Sequence, residues 1–278
     1  MANSAGISQS DFEFISKIVR DNSAIVLEAG KEYLVESRLS PLLNSEKLGS
    51  YEELVKKMRN DVSRTLVGKV VEAMTTNETS FFRDIHPFEV LKSAIIPELI
   101  QKREATRELN IWCGASSSGQ EPFSIAMMLK ENFPKLNNWK LYFMASDISK
   151  EMQTRCKQGI FSQLEINRGL PAALMVKYFQ RNGTSWQIKP EIQNMVDFQI
   201  MNLSGSWPMI PKLDLVMMRN VLIYFDVPTK KLILGKVRNL LKPDGYLFLG
   251  AAETTLNLDE NFERMNFKQS GCYRLKQG

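Results

Sequence analysis

The apolar positions of the first 75 residues recur three and four residues apart, the spacing of one face of an α-helix. Four helices are predicted. Ser10 is in position to cap the first, and Ser50 to cap the third, with Glu53 as the second half of a capping box. No strand pattern is present, so residues 1–75 are predicted to form a small all-α domain. The apolar positions of these helices are Phe12, Ile15, Ile18, Val19, Leu34, Leu39, Leu42, Leu43, Leu54, Met58, Val62, Leu66, Val70, Val71 and Met74.

From about residue 109 short apolar runs alternate with helical stretches. This alternation predicts a parallel sheet with helices on both faces, and Pro243-Asp244-Gly245 predicts a turn before the last strand. Helices are predicted at 122–130, 150–158 and 229–241. The predicted strands are 109–113, 141–145, 198–201, 213–218 and 246–249.

One segment, at about 160–196, interrupts this alternation. Asn182-Gly183 stands there between two β-prone runs, which is a strong signal for a β-hairpin. We therefore predict a small antiparallel insertion. Residues 75–90 show little periodicity. Residues 76–95 are predicted to link the helical domain to a larger domain over 96–278 that carries the insertion.

Composition narrows the class of protein. The chain has 278 residues, of which 44% are apolar and 24% charged, and no run approaches the 18 apolar residues of a membrane span. Residues 1–10 lack the basic and apolar pattern of a secretory signal. A single histidine, His86, excludes a His dyad and a two-His metal site, so no metal is expected. The cysteines fit neither a disulfide framework nor a zinc cluster and indicate a reducing cytoplasm.

The charge is unevenly distributed along the chain. The net charge is +5, yet residues 1–75 hold 10 basic and 11 acidic residues, so the positive excess lies in the larger domain. This distribution fits either an acidic partner or a role in solubility alone.

Two features predict a nucleoside site at one edge of the sheet. Residues 113–122 read Cys-Gly-Ala-Ser-Ser-Ser-Gly-Gln-Glu-Pro, a small-residue loop between a strand and a helix. The loop is not a P-loop, since Gln120-Glu121 stands where Lys-Ser/Thr is needed, and Glu121 would attract an amino-bearing ligand. Asp147 follows the second strand, where it can hold ribose hydroxyls or cap the next helix.

Two further segments carry polar side chains. Residues 75–84 read Thr-Thr-Asn-Glu-Thr-Ser-Phe-Phe-Arg-Asp, either a capped linker or a segment in which Arg83 pairs bidentately with a carboxylate. Arg219, Asn220 and Tyr224 follow the fourth strand, beyond whose carboxyl end open α/β sheets bind ligands.

Together these segments resemble the CheR family of chemotaxis receptor methyltransferases, over nearly the whole chain. The shared motifs, in order, are Thr-Thr-Asn-x-Thr-x-Phe-Phe-Arg-Asp, Gly-Gln-Glu-Pro-Phe-Ser-Ile, Ala-Ser-Asp-Ile and Arg-Asn-Val-Leu-Ile-Tyr-Phe. The resemblance implies an α/β fold: a Rossmann-like class I methyltransferase sheet with a small N-terminal all-α domain and an antiparallel hairpin insertion. It also implies methyl transfer from S-adenosylmethionine to receptor glutamates, which leaves glutamyl methyl esters and S-adenosylhomocysteine.

The resemblance implies site residues as well. Arg83 would meet the methionine carboxylate and Asp147 the ribose, while Asn202 would flank the adenine. Tyr224, near the transferred methyl, and Arg83 would be the catalytic residues. The cofactor-binding set would be Asn77, Thr79, Arg83, Glu121, Asp147, Asn202, Leu203, Arg219 and Asn220.

The implied partner is the cytoplasmic helical signalling domain of a chemoreceptor, to which a cytoplasmic enzyme is recruited without entering the membrane. Between residues 47 and 71 six basic residues face three acidic ones, a surplus that would attract the receptor's glutamates. Family members that clamp a receptor tail pentapeptide carry a longer, glycine-bearing hairpin turn than the one at 181–185, so such tethering is not expected here. The expected docking residues are Arg38, Lys56, Lys57 and Arg59.

Two alternatives stay open at this point. A nucleic-acid methyltransferase would suit the pI of about 9.0. Amino-methylating enzymes of that class, however, carry an Asn/Asp-Pro-Pro-aromatic loop where residues 219–222 read Arg-Asn-Val-Leu. A scaffold that binds S-adenosylmethionine without transferring its methyl would keep the same cofactor motifs.

Overall fold

A computed structural model describes residues 6–267 and 269–277 and divides them into two compact units. The helical unit comprises residues 6–76 and Tyr224–Thr229. The sheet unit comprises Asn77–Ile223 and the described residues from Lys230 onward. The expectation that residues 1–10 are not a secretory signal rests in part on residues 1–5, which lie outside the described residues.

The helical unit contains four helices whose apolar faces form its core. Ser8, and not Ser10, caps the first helix: the Ser8 side chain accepts the Asp11 N–H, and Ser10 already lies in the first turn. Val62 is 99% exposed, because the fourth helix begins only at Thr65, where the Asp61 carboxylate accepts two backbone N–H groups. The helices are α1 Gln9–Ser23, α2 Glu32–Glu46, α3 Tyr51–Arg59 and α4 Thr65–Ala73.

Only half of the predicted capping box forms at the start of α3. The Ser50 side chain accepts the Glu53 N–H at 3.2 Å, but the Glu53 carboxylate accepts the N–H of Gly49 at 2.7 Å. The segment Tyr224–Thr229 completes the helical unit. The Tyr224 carbonyl accepts the Val26 N–H at 3.0 Å, and Asp226 pairs with Arg20 at 2.6 Å.

Ten strands lie in the sheet unit, and seven of them form one sheet. Its order is β6-β2-β1-β7-β8-β10-β9; the first five strands are parallel, and β10 pairs antiparallel with both β8 and β9. All five predicted strands are present, but β9 and β10 were not predicted. The strands are β1 Glu108–Gly114, β2 Lys140–Asp147, β3 Ile160–Ser162, β4 Phe179–Asn182, β5 Ser185–Ile188, β6 Asp197–Ile200, β7 Leu213–Met218, β8 Leu241–Leu249, β9 Phe262–Arg264 and β10 Gly271–Leu275.

The predicted turn at Pro243-Asp244-Gly245 is wrong, because these residues form a bulge inside β8. Leu241 pairs with Leu213 and Tyr246 with Leu215, so the residues between Leu241 and Tyr246 lie opposite a single residue of β7, Asp214. A bulge uses the same turn-forming residue types as a turn does, which explains the error.

Beyond residue 76, two helices precede β1 and the later helices connect strands; residues 227–229 of the last helix belong to the helical unit. A π-helical turn over Leu91–Ile95 joins α5 to α6, and α7 is buried along most of its length. These helices are α5 His86–Val90, α6 Ile96–Lys102, α7 Gln120–Asn132, α8 Lys150–Gln158, α9 Gln163–Asn167, α10 Ala172–Tyr178, α11 Pro190–Gln193 and α12 Val227–Leu240.

The insertion is a separate three-stranded antiparallel sheet of order β3-β5-β4. The predicted hairpin is confirmed, but its two loop residues are Gly183 and Thr184, since Asn182 pairs with Ser185. Gly183 takes a φ of +58°, which a glycine adopts without strain.

Over the described residues, no helix combines the length and apolar character needed to cross a bilayer. In the same part of the chain, no group of three His, Cys, Asp or Glu side chains could hold a metal ion. The three cysteines, Cys113, Cys156 and Cys272, are buried free thiols.

Candidate functional site

The carboxyl ends of the five parallel strands meet at one edge of the sheet, and most of the predicted site residues follow these ends. After β1 the chain turns through two non-glycine residues of positive φ, Ala115 and Ser117, and then Gly119 at φ +92°. A Cβ on Gly119 would lie 3.0 Å from both Cys156 Sγ and the Phe123 ring, so the loop requires glycine there. The loop is therefore closely packed at Gly119.

Asp147 anchors this loop from the end of β2. Its Oδ2 accepts the Ser117 N–H at 2.8 Å and its Oδ1 accepts the Ser149 N–H at 3.0 Å. The Ser117 hydroxyl also donates to the carbonyl of Asn77 at 2.7 Å. Ser149 caps α8 through the Met152 N–H, so the alternative role of Asp147 as the helix cap is wrong.

An ion cluster lies around buried Arg219, the first residue after β7, with Glu121 mostly buried and Asp84 46% exposed. The Arg219 side chain is 2% exposed, and its Nη1 donates to Glu121 Oε2 at 2.6 Å. Its Nη2 donates to Asp84 Oδ2 at 2.6 Å and to the Arg83 carbonyl at 3.0 Å. Arg219 thus pairs with Glu121, the carboxylate that the sequence suggested would attract an amino-bearing ligand.

The segment from Asn77 to Ile85 carries unusual backbone strain. Phe82, Asp84 and Ile85 have φ of +47°, +65° and +43°, values that cost energy for residues other than glycine. The Phe82 N–H donates to the Ser124 hydroxyl at 3.0 Å, and buried Phe81 packs its ring edge-on against two other phenylalanines. These contacts hold the strained segment in place.

Arg83 lies in this segment with a half-buried side chain. Its Nη1 donates to the Glu78 carbonyl at 3.0 Å, and among the described residues its guanidinium forms no ion pair. Thr79 is half-buried nearby in the chain.

Asn202 and Leu203 follow β6, next to β2 in the sheet. Asn202 Oδ1 accepts the N–H and the hydroxyl of Ser204, and Leu203 is buried. The Leu203 carbonyl accepts the indole N–H of Trp207, whose ring packs edge-on against buried Trp112 at 4.9 Å. These contacts give the edge of the sheet beside β2 an apolar wall.

Hydrogen bonds therefore bring several predicted residues together. One chain runs from Asn77 through Ser117 to Asp147, and the other from Arg83 through Arg219 to Glu121. The loop and helix start at 115–121 join the two chains. Sequence reasoning missed three participants, Ser117, Asp84 and Glu253, the last of which follows β8 and binds the Asn220 N–H at 2.8 Å.

The remaining predicted residues lie in the helical unit. Tyr224 ends a short 3₁₀ turn. Arg38 donates to the Met74 carbonyl and the Thr76 hydroxyl, both at 2.6 Å, and burial lowers the pKa of its guanidinium. Of the α3 cations, Lys57 pairs with Glu46 at 2.8 Å and the Arg59 guanidinium lies 4.2 Å from the centre of the Phe14 ring.

The comparison with protein families shows which family this chain belongs to. Residues 77–270 match the domain described as "CheR methyltransferase, SAM binding domain", and residues 10–75 match "CheR methyltransferase, all-alpha domain". The chain belongs to the CheR methyltransferase family. It is therefore an S-adenosylmethionine-dependent methyltransferase of α/β fold, and S-adenosylmethionine is its cofactor, as the sequence motifs predicted.

Relatives of this CheR methyltransferase match it nearly end to end. "Chemotaxis protein methyltransferase 1" of Pseudomonas aeruginosa is 40% identical and covers 97% of this chain and 99% of its own. "Chemotaxis protein methyltransferase Cher2" of Pseudomonas putida is 41% identical, with coverages of 96% and 98%. "Chemotaxis protein methyltransferase" of Borreliella burgdorferi is 34% identical over 89% of both chains. The predicted membership of this family is confirmed.

Proposed function

We propose that this CheR methyltransferase transfers the methyl group of S-adenosylmethionine to glutamate side chains on the helical signalling domain of chemoreceptors. The products are glutamyl methyl esters and S-adenosylhomocysteine. The observation that carries the proposal is the end-to-end match to chemotaxis protein methyltransferases, combined with a polar cluster at the carboxyl edge of the sheet.

The polar cluster has the chemistry that the cofactor requires. The Asp147 carboxylate is 8% exposed and suits a pair of ribose hydroxyls, because carboxylate oxygens accept several hydrogen bonds each. Arg83 offers a planar fork of donors to the methionine carboxylate, and Glu121 offers an oxygen to the ammonium. We assign the ends of the site to five residues whose contacts are less specific: Asn77, Thr79, Asn202 with Leu203 beside the adenine, and Asn220.

The reaction needs no general base from the chain. A free glutamate carboxyl has a pKa of about 4.3, so the acceptor is already an anionic nucleophile at neutral pH. S-adenosylmethionine, when bound, supplies an electrophilic methyl group. The residues of the site therefore contribute by holding both reactants in line and by excluding water, effects that can supply roughly 7–11 kcal/mol.

His86 has no part in this mechanism. Its Nδ1 lies 3.1 Å from the exposed carboxylate of Glu89, an arrangement typical of a surface helix start. We propose Tyr224 and Arg83 as the catalytic residues, Tyr224 near the transferred methyl and Arg83 at the methionine carboxylate. Tyr224→Phe tests this role: a lowered kcat with unchanged affinity for S-adenosylhomocysteine supports it, and an unchanged kcat contradicts it.

The α3 helix is the proposed docking surface for the receptor helix. Since Lys57 is already paired with Glu46 and Arg59 lies over Phe14, we expect exposed Lys56 to carry most of the attraction. The Arg38 guanidinium already donates to a backbone carbonyl and a hydroxyl, so we expect it to contribute less to receptor docking than Lys56 does. Such attraction recruits the enzyme to receptors in the cytoplasm and weakens with salt.

Charge reversal at Lys56 tests this docking surface. Lys56→Glu should raise the KM for the receptor domain several-fold while S-adenosylhomocysteine affinity stays constant. Lys31→Glu, an exposed reversal outside α3, is the matched control. Equal receptor KM values in the two variants would reject the docking role of α3.

We further propose that no receptor tail peptide is needed for recruitment. The two-residue loop Gly183-Thr184 supports this, because it leaves little backbone to cover a peptide added to the edge of the small sheet. Titration of a receptor-tail pentapeptide should give no heat of binding. Micromolar binding that disappears when the loop is altered would prove the proposal wrong.

A methyl-transfer assay with three acceptors separates this function from the two alternatives. Labelled S-adenosylmethionine is incubated with the enzyme and a receptor signalling domain, with DNA and RNA, or with no acceptor. Transfer to the receptor domain alone supports the proposal. Transfer to nucleic acid would favour a nucleic-acid methyltransferase, and cofactor binding without any transfer would favour a scaffold.

A further inference from the structure

Glu253 is a buried carboxylate at the same edge of the sheet, four residues beyond the end of β8. Its two oxygens accept backbone N–H groups from two separate loops, at distances of 2.6–3.3 Å. In the described part of the chain no basic side chain forms an ion pair with it, so backbone dipoles alone meet its charge. The donors are the N–H groups of Gly250 and Asn220 to Oε2, and of Val221, Leu222 and Ile223 to Oε1.

The segment that Glu253 holds begins directly after Arg219. Asn220 has a φ of +58°, in the left-handed region, and the next N–H groups all point to one carboxylate. Without an acceptor there, several backbone donors would be left unpaired, which is unfavourable for buried N–H groups. The conformation of the segment thus depends on the anion.

Gly250 makes this arrangement possible by its close approach. A Cβ at Gly250 would lie 2.8 Å from Asn220 Nδ2, 2.9 Å from Asn220 N and 2.8 Å from Glu253 Oε2. The end of β8 and the loop after β7 are therefore packed against each other with no room for a side chain. The end of β8 therefore supports the loop after β7 in a fixed position.

We propose that Glu253 is a positioning residue for the cofactor site: it fixes the backbone of Asn220 and so aims Arg219 at Glu121 and Asp84. This inference rests on the proposed site. Glu253 itself makes no contact with the reactants in the proposal, but it sets the orientation of Asn220 and Arg219, which belong to the proposed cofactor-binding set. Rotation of the Asn220 backbone would displace the guanidinium that joins the two carboxylates.

The test compares Glu253→Gln with Asp214→Asn. The glutamine keeps the shape of the side chain but turns one acceptor oxygen into an NH₂ group that faces N–H donors. Asp214 is also a buried carboxylate, 0% exposed against 8% for Glu253, and lies near the opposite end of β7. It accepts the Asn110 N–H at 2.8 Å and pairs with Arg103 at 2.7 Å and Lys242 at 2.9 Å. Both variants disrupt a buried hydrogen-bonded carboxylate, but only one adjoins the proposed site.

Three quantities are measured for each full-length variant: the unfolding midpoint, the affinity for S-adenosylhomocysteine by calorimetry, and hydrogen exchange of the amides at 220–223. Glu253→Gln should weaken binding on the order of tenfold or more and accelerate exchange at 220–223. Asp214→Asn should lower the midpoint but keep the affinity within about twofold.

Wild-type affinity in folded Glu253→Gln would overturn the inference. An equal loss of affinity in both variants would also overturn it, because general destabilisation would then explain the effect. If Glu253→Gln does not fold, Glu253→Asp takes its place, and wild-type affinity in that variant has the same meaning. If the wild-type enzyme fails to methylate receptors while Glu253→Gln still loses affinity, the proposed function fails and the positioning role stands.

Discussion

Arg219 and Glu121 form a buried ion pair in which Nη1 lies 2.6 Å from Oε2, although 98 positions separate them in the sequence. The same guanidinium reaches Asp84 at 2.6 Å, so one cation joins the start of α7 to the strained segment before α5. A buried charge that loses its partner is strongly destabilising, so the three side chains act as one unit. This unit sets the geometry of the proposed cofactor site.

Replacement of Arg219 by lysine should break the link between Glu121 and Asp84. A single ammonium cannot reproduce the planar fork, so we expect Arg219→Lys to lower the free energy of unfolding by about 3 kcal/mol or more. The affinity of the same variant for S-adenosylhomocysteine should fall as well. The control is Arg274→Lys on β10, whose pair with Glu263 is partly exposed and should contribute at most about 1 kcal/mol. Similar losses in chemical unfolding of both variants would contradict the role of the cluster.

Asp147→Ala should affect both binding and stability. The substitution removes the proposed ribose ligand and also leaves the N–H groups of Ser117 and Ser149 without this acceptor. We expect cofactor binding too weak to detect by calorimetry and a loss of about 1–3 kcal/mol in the free energy of unfolding. The control is Ser149→Ala, which removes the cap of α8. It should lower the free energy of unfolding by about 1 kcal/mol and bind the cofactor with normal affinity. Near-normal affinity in folded Asp147→Ala would refute the ribose assignment.

Two glycines of positive φ distinguish a steric clash from backbone strain. A Cβ on Gly169 would lie 2.1 Å from the Phe81 carbonyl oxygen, whereas nothing lies within 4 Å of one on Gly183. Gly169→Ala should therefore be less stable than Gly183→Ala by about 1–3 kcal/mol and should displace the segment that carries Arg83. The measurement is thermal unfolding of both variants, together with cofactor affinity. Equal stabilities would show that Gly169 does not support this segment.

The stability of the helical unit should depend on pH through Glu46. Hydrogen bonds from Lys57 and Lys69 lower the pKa of its carboxyl from 4.5 to about 2. Because the folded-state pKa is depressed, the stabilisation is complete above the unfolded value and is lost as the pH falls through about 2. Glu46→Gln should therefore be less stable than wild type at pH 7 and equal to it below pH 2. The control is Glu52→Gln, an exposed α3 residue, and a Glu46→Gln difference that does not change with pH would contradict the assignment.

Local signals predicted several elements closely. The helix at Lys150–Gln158 and the strand at Leu213–Met218 have the predicted bounds. The helix begins after a serine cap and ends before a glycine, and the strand is an uninterrupted apolar run apart from Asp214. Asp147 and Arg219 were identifiable because each lies at the carboxyl end of a strand of the parallel sheet, where ligands bind.

Long-range features could not be predicted in the same way. β9 is three residues long and owes its place to pairing with β10, and the grouping of Tyr224–Thr229 with the helical unit depends on bonds to Arg20 and Val26. The two serines near the start of α1 both fit a cap, and only backbone geometry distinguishes them. Glu253 could have been found, since it follows a predicted strand, but its role depends on loop conformations that no local pattern encodes.

The central claim is methyl transfer to receptor glutamates from a cofactor held at this site. The most direct measurement incubates the enzyme with methyl-labelled S-adenosylmethionine and a receptor signalling domain, and then treats the labelled receptor with base. A glutamyl methyl ester hydrolyses to volatile methanol, so the account predicts base-labile label that depends on acceptor glutamates and is lost with Asp147→Ala. Label that survives base, or no transfer by enzyme that binds the cofactor, would contradict it.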